Sequence, residues 1–273
     1  MNRLSVAERV RVVAALVEGS GVNATCRMTG ISKPTVLKLL ADLGTACYTY
    51  HDMFVRGLDS KRIQCDEIWS FVGAKMKNAS EEKVAQGWGD CWTWTALDAD
   101  SKLMVSYLVG QRGFYWAKQF MEDVASRVNS RVQLTTDGHR AYIEAVEGAF
   151  GMDVDYAMLI KLYGNPVNPD SRYSPGEVIG TELVRVTGNP DPKHINTSFV
   201  ERQNLTMRMS MRRFTRLTNA HSKKLANHEA AIALHYMHYN FCRIHQTIRC
   251  TPAMESGLSD HVWSIQELVS LLP

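Results

Sequence analysis

The sequence predicts an α/β protein: a mixed five-stranded sheet with helices on its faces, entered through a small all-α unit. Three observations carry this. Apolar residues recur at helical spacing over residues 1–45, β-formers take over from Arg62, and strands then alternate with helices. At 273 residues the chain has room for one sizeable core and a small appended module.

Taken in order, Ser5 to Glu8 read as a capping box and Val10, Val13, Ala14 and Val17 as an apolar stripe, before Gly19-Ser20-Gly21 ends the first helix. A second helix begins near Asn23 and breaks at Thr29-Gly30. Ser32 caps a third, which Pro34 opens. With Ile31, Val36 and Leu39 inward, Lys33, Thr35 and Lys38 face outward at the start of that helix, as in a helix-turn-helix that reads DNA. Residues 46–60 lack periodicity and read as a linker. Three consecutive antiparallel strands follow in RIQCDEIWSFVGAKM, CWTWTALDAD and SKLMVSYLVG, the last two joined by a turn on Asp98-Ala99-Asp100. FYWAKQFMEDVASRVNSR is helical, VQLTTDGHRAY is a short strand broken at Asp137-Gly138, residues 140–149 are helical, and VDYAMLIKLYG is a fifth strand. An insert at about 164–195 is dense in Pro, Gly and Asn around the strand-like EVIGTELVRVTG. Helices resume at Asn196 and Ser222, and SIQELVSLL supplies a helix to a tail at 251–273. The order over 61–250 matches a ribonuclease-H-like sheet.

Bulk properties remove several function classes. Hydrophobic content of 45% and charged content of 22% are those of an ordinary globular chain, and no apolar run approaches the roughly 20 residues of a membrane span. The first residues mix acids and bases where a secretory leader would be apolar, so the expected compartment is the cytoplasm. The six cysteines form no C-x-x-C pair and read as free thiols. The net charge is only +3, yet the segment from Arg202 to Arg249 carries its cations against Glu229 alone, which reads as a surface for a polyanion.

Within such a sheet the first strand is central and the fourth lies beside it, so Asp66 and Asp137 come together, and the helix after the fifth strand brings Glu201 to them. Asp66 sits inside an apolar strand, where an unpaired charge is costly. Glu67 is expected on the opposite face by strand alternation, and Asp98 and Asp100 are expected to form a turn. Converging carboxylates repel unless cations neutralise them, which marks a site for two Mg²⁺ ions, with Mn²⁺ as a substitute. A pair of ions roughly 3.5 to 4 Å apart clamps the attacking and leaving oxygens of a phosphoryl group. His139 and His194 are auxiliary candidates. The histidines of residues 221–245 and the tryptophans Trp69, Trp92 and Trp94 are expected to pack.

Three stretches, CDEIWSFVGAKMKN, TTDGHRAY and SFVERQNLTMRMSMRRFTRLTNAHSKK, together resemble the DDE transposases of bacterial insertion sequences, most closely the insertion sequence one family, over about residues 60–245. The resemblance implies metal-dependent cleavage and strand transfer at terminal inverted repeats of a transposable element. It also implies binding to double-stranded DNA, both transposon ends and target, by a homodimer or larger homo-oligomer. Arg208, seven positions after Glu201, matches a basic residue that contacts end DNA in that family, and Arg202, Arg212, Arg213 and Arg216 extend the DNA-binding set. Family members often carry an N-terminal zinc finger; no cysteine pair supplies one here, leaving end recognition to residues 1–45 and the basic segment. Two other readings compete: a ribonuclease-H-like nuclease without strand transfer, and a non-catalytic helix-turn-helix regulator.

Overall fold

The computed structural model describes residues 4–164, 176–215 and 218–272. Three helices open it, α1 (Val6–Val17), α2 (Val22–Thr29) and α3 (Lys33–Phe54). The Ser5–Glu8 capping box starts α1, and Gly30 in the left-handed conformation lets the chain turn from α2 into α3. α3 runs on through residues read as a linker. Its second half is rich in Tyr and Thr, poor helix formers, but Leu43, Cys47 and His51 are buried along one stripe, the helix lies along α8 (Leu225–Phe241), and packing overrides propensity. The two helices approach so closely that a Cβ at Gly44 would lie 2.5 Å from the Ala230 backbone. α8 is apolar nearly all round because it is covered on several sides, by α3, by α9 (Pro252–Glu255) and by the sheet.

The sheet contains β1 (Arg62–Val72), β2 (Gly89–Asp98), β3 (Met104–Gly110), β4 (Val132–Asp137), β5 (Val154–Tyr163) and β6 (Val178–Thr187), in the spatial order β3-β2-β1-β4-β5-β6. β1–β2, β2–β3 and β5–β6 pair antiparallel, while β1–β4 and β4–β5 are parallel. The sheet is therefore six-stranded where five were expected. The extra strand is the strand-like piece of the insert, which extends the edge beside β5; most of its residues are exposed on both faces, so neither alternation nor an apolar run placed it in the sheet. Residues 165–175 of the insert lie outside the described residues.

α5 (Phe114–Arg127) and α6 (Ala141–Phe150) pack together on one face; α7 (Ser198–Ser210) and α8 take the other. α4 (Glu81–Ala85) is a short turn of helix between β1 and β2, and α10 (Ile265–Val269) docks on α1, so the tail holds two short helices. The Asp98 side chain accepts the Asp100 and Ser101 N–H groups, forming the expected turn. His228 sits buried between the Ser70 and Ser222 hydroxyls at 3.1 and 2.9 Å, a packed and satisfied histidine. No helix among the described residues is long and apolar enough to cross a membrane.

Candidate active site

Two strand ends build the site. β1 and β4 run in parallel register from Arg62↔Gln133 to Cys65↔Thr136, and one further step sets Asp66 beside Asp137, the last residue of β4. An oxygen from each of Asp66, Glu67 and Asp137 lies within 4.8 Å of the others. Glu67 is thus not removed from the site by pointing to the opposite face. Alternation separates two neighbours only while an adjacent strand continues; β4 stops here, and Glu67 leans around its end from the α5–α6 side. There its carboxylate meets Arg112 Nε at 3.2 Å and His139 Nε2 at 3.7 Å.

Glu201 arrives on the first turn of α7, and β1 sets its position. The buried Gln64 side chain accepts the Phe199 and Val200 N–H groups at 2.9 and 3.1 Å and donates to Asn196 at 2.7 Å. It does the work of an N-cap that Thr197 does not supply, because Thr197 donates its hydroxyl to Glu201 instead. Lys161, from β5, forms an ion pair with the Glu201 carboxylate. Asp66, Asp137 and Glu201 line one cleft of about 630 Å³, together with Arg112, His139 and Lys161. Glu201 stands apart from the tight acidic group because Lys161 and Thr197 hold it.

Electrostatics set this cleft apart. Burial, then the Asp137 charge and further Glu201, push the Asp66 carboxyl up to about 7, although the Glu67 N–H and the Asn204 amide at 2.8 Å favour its charged form. Burial, Asp137 and Asp66 raise Glu67 as well, outweighing Arg112. Burial and mutual repulsion therefore disfavour full ionisation of these acids together unless a cation joins them. Hard carboxylate oxygens gathered in this way fit a divalent cation.

Other residues singled out in the sequence are distributed as follows. His139 lines the cleft, its backbone N–H on the Asp137 carboxylate at 3.0 Å, and burial followed by Arg112 lowers its basicity. His194 does not reach the cleft: it is exposed in the turn Pro192–His194, beside Arg62 and Asp191. Lys33 is exposed, Thr35 is bonded to Ser32, and Lys38 pairs with Asp42 at 2.6 Å. Arg202 and Arg212 are exposed, and Arg208 is half-buried. Arg213, expected on DNA, is turned inward: its guanidinium donates to Ser222 and the Asn227 carbonyl at 2.9 and 2.7 Å, and burial pushes it down to about 10. Arg216 lies outside the described residues. Trp94 is in the core, whereas Trp69 and Trp92 are half-buried, beside Lys75 and Arg112.

Sequence reasoning missed Gln64, Arg112, Lys161 and Asn204. Asn204 had a signal, lying one helical turn from Glu201 on the same face of α7; the others converge from distant parts of the chain.

No protein-family model and no curated protein matches the chain. Among solved structures, a piggyBac transposase synaptic complex with hairpin DNA is similar over 98% of this chain and 70% of its own, at 13% identity and a TM-score of 0.40. That likeness is too slight to carry an argument about function.

Proposed function

We propose that the chain is a DDE-type DNA transposase that cuts and rejoins DNA at the terminal repeats of an insertion sequence. One observation carries the reading: acids from β1, β4 and the first turn of α7 line a single cleft, and carboxylate oxygens of Asp66, Glu67 and Asp137 crowd within 4.8 Å of one another. The sequence blocks around these acids, and the basic segment that follows Glu201, supply the substrate class.

Asp66 and Asp137, with Glu201, would hold the divalent cation, Mg²⁺ or Mn²⁺. When bound, the ion neutralises the acids and activates water or a DNA 3′-hydroxyl against the phosphodiester. The protein's own groups prepare that event. Asn204 fixes one Asp66 oxygen, Gln64 ties the start of α7 to the sheet, and Lys161 balances Glu201. Arg202, Arg208 and Arg212 would follow the DNA backbone along and beyond α7, and Lys33, Thr35 and Lys38 would serve end recognition.

The test supplies a pre-cleaved end duplex, taken from the sequence flanking the coding region, with target DNA and Mg²⁺. Joined products that vanish in Asp66→Asn are expected. Nicking without joining assigns a nuclease instead, and DNA binding with no metal-dependent nicking assigns a regulator.

A further inference from the structure

We infer that Arg112 is a phosphate-contacting residue of the cleft and that Glu67 is the residue that positions it, not a third metal ligand. The inference rests on the phosphoryl-transfer reading above and names a part of the machinery that the three-acid pattern leaves out.

Arg112 lies in the turn between β3 and α5. Its Nε donates to Glu67 Oε1 at 3.2 Å, and its guanidinium carbon stands 4.9 Å from the centre of the Trp92 ring. Held at one edge by a carboxylate and on one face by an aromatic ring, the planar group keeps a single orientation. Its Nη2 is 4.0 Å from Asp137 Oδ2, so the guanidinium lies beside the acids, farther from Asp137 than from Glu67, with its Nη groups left for a further partner. The exposures divide the roles: the Glu67 side chain is 1% exposed and Arg112 41%, an anchor below and an arm in the open cleft. Oε1 of Glu67 also faces His139 Nε2 at 3.7 Å, so two basic side chains border this oxygen, whereas the Asp66 oxygens accept the Glu67 N–H and the Asn204 amide, and Asp137 meets Arg112 only at 4.0 Å.

A pre-oriented guanidinium offers parallel N–H groups to two phosphate oxygens, a geometry that a lysine ammonium cannot reproduce. A phosphodiester approaching a cluster of carboxylates needs such a cation at the point where charge develops. Arg112 is in place to supply it, and without Glu67 it would swing freely on its stem.

Full-length protein and the variants Asp66→Asn, Glu67→Gln, Arg112→Ala, Arg112→Lys and the Glu67→Gln/Arg112→Ala double variant decide the matter. Mn²⁺ affinity is read by electron paramagnetic resonance, and affinity for the end duplex by anisotropy in Ca²⁺. Asp66→Asn is expected to weaken Mn²⁺ about tenfold or more, and Glu67→Gln to stay near the wild type. Glu67→Gln and Arg112→Ala are each expected to weaken DNA binding, about tenfold for the latter, with the double variant no worse than Arg112→Ala and no rescue by Arg112→Lys. Loss of Mn²⁺ in Glu67→Gln matching that in Asp66→Asn would make Glu67 a ligand and overturn the inference. Additive DNA-binding losses, or a wild-type Arg112→Ala, would overturn it too. If Asp66→Asn leaves Mn²⁺ affinity intact, the metal reading of the cleft falls, while coupling between Glu67 and Arg112 is still read from the DNA arm.

Discussion

Two polar clusters in this protein are built from the same residue types and behave in opposite ways. Around Arg127, on the last turn of α5, every part of the guanidinium is used: Nε to Asp123 at 2.7 Å, Nη2 to Asp123 and Asp52, both at 2.9 Å, and Nη1 to the Val55 carbonyl at 3.0 Å. Although burial works against it, Asp52 is held below the usual carboxylate range by Arg56 and Arg127. In the cleft, the Asp66 carboxyl is driven to about 7 by burial and its acidic neighbours. Balanced charge fastens the end of α3 to α5; in the cleft, crowded acids that repel one another could take up a cation. Groups pushed away from their ordinary range by burial and like charge, as Asp66 is, mark the cleft as the candidate for function, whereas Asp52 is held as a structural partner.

The largest effect that would break this contrast is on catalysis. Asp66→Asn should lower DNA cleavage by roughly a thousandfold or more, about 4 kcal/mol of barrier, while the thermal midpoint holds or rises because a strained charge is gone. Steady-state cleavage with Mg²⁺ and a melting curve on the same preparation check both halves. Arg127→Ala should do the reverse. It removes one partner each from Asp123, Asp52 and the His51 and Val55 carbonyls and should cost about 3 kcal/mol of stability, toward the low end for a broken buried pair because Asp52 and Asp123 are partly exposed and Asp52 keeps Arg56. Denaturant unfolding measures the loss, and cleavage per folded molecule should be unchanged.

Protonation acts on the two clusters with opposite sign. The folded chain raises Asp66 from 3.8 to about 7, so it keeps a proton that the unfolded chain has released across that interval. Without divalent ions, its contribution therefore makes stability fall as the pH rises from about 4 to about 7. Asp52 has the opposite sign, contributing stability that is lost as the pH drops below the usual carboxylate range. Melting temperatures against pH should show the Asp66 slope, lose it in Asp66→Asn, and show the largest gain from added Mg²⁺ above pH 7 or so. The smallest effect belongs to Gln64→Ala, which removes the cap on α7 at about 1 kcal/mol of stability. Because Glu201 then loses its placement, the fall in cleavage rate should exceed what the melting curve shows.

How far the sequence could be read follows from where each signal is stored. That Asp66, Asp137 and Glu201 share a cleft was legible because a charge amid β-formers is anomalous at Asp66, and the element order sets the end of the fourth strand and the helix after the fifth beside it. The element order from β1 to β5 was legible for the same kind of reason, since each segment carries its own period. What escaped depends on contacts between remote segments. Gln64 caps a helix that begins 134 positions later, a relation that no local pattern records. Lys161 and Arg112 matter only because β5 and the β3–α5 turn end at the same cleft. Alternation misjudged Glu67 because the rule assumes a neighbouring strand, and β4 ends at that level. Arg213 looked like its exposed neighbours until the fold turned it toward Ser222 and Asn227.

The most direct test is anomalous scattering from Mn²⁺ in crystals of the full chain bound to an end duplex. A peak in contact with carboxylate oxygens of Asp66 and Asp137 and with a DNA phosphate, and Glu201 released from Lys161 toward it, is the expected result. Acids paired only with Arg112 and Lys161 at saturating Mn²⁺, with no peak between them, would contradict the account.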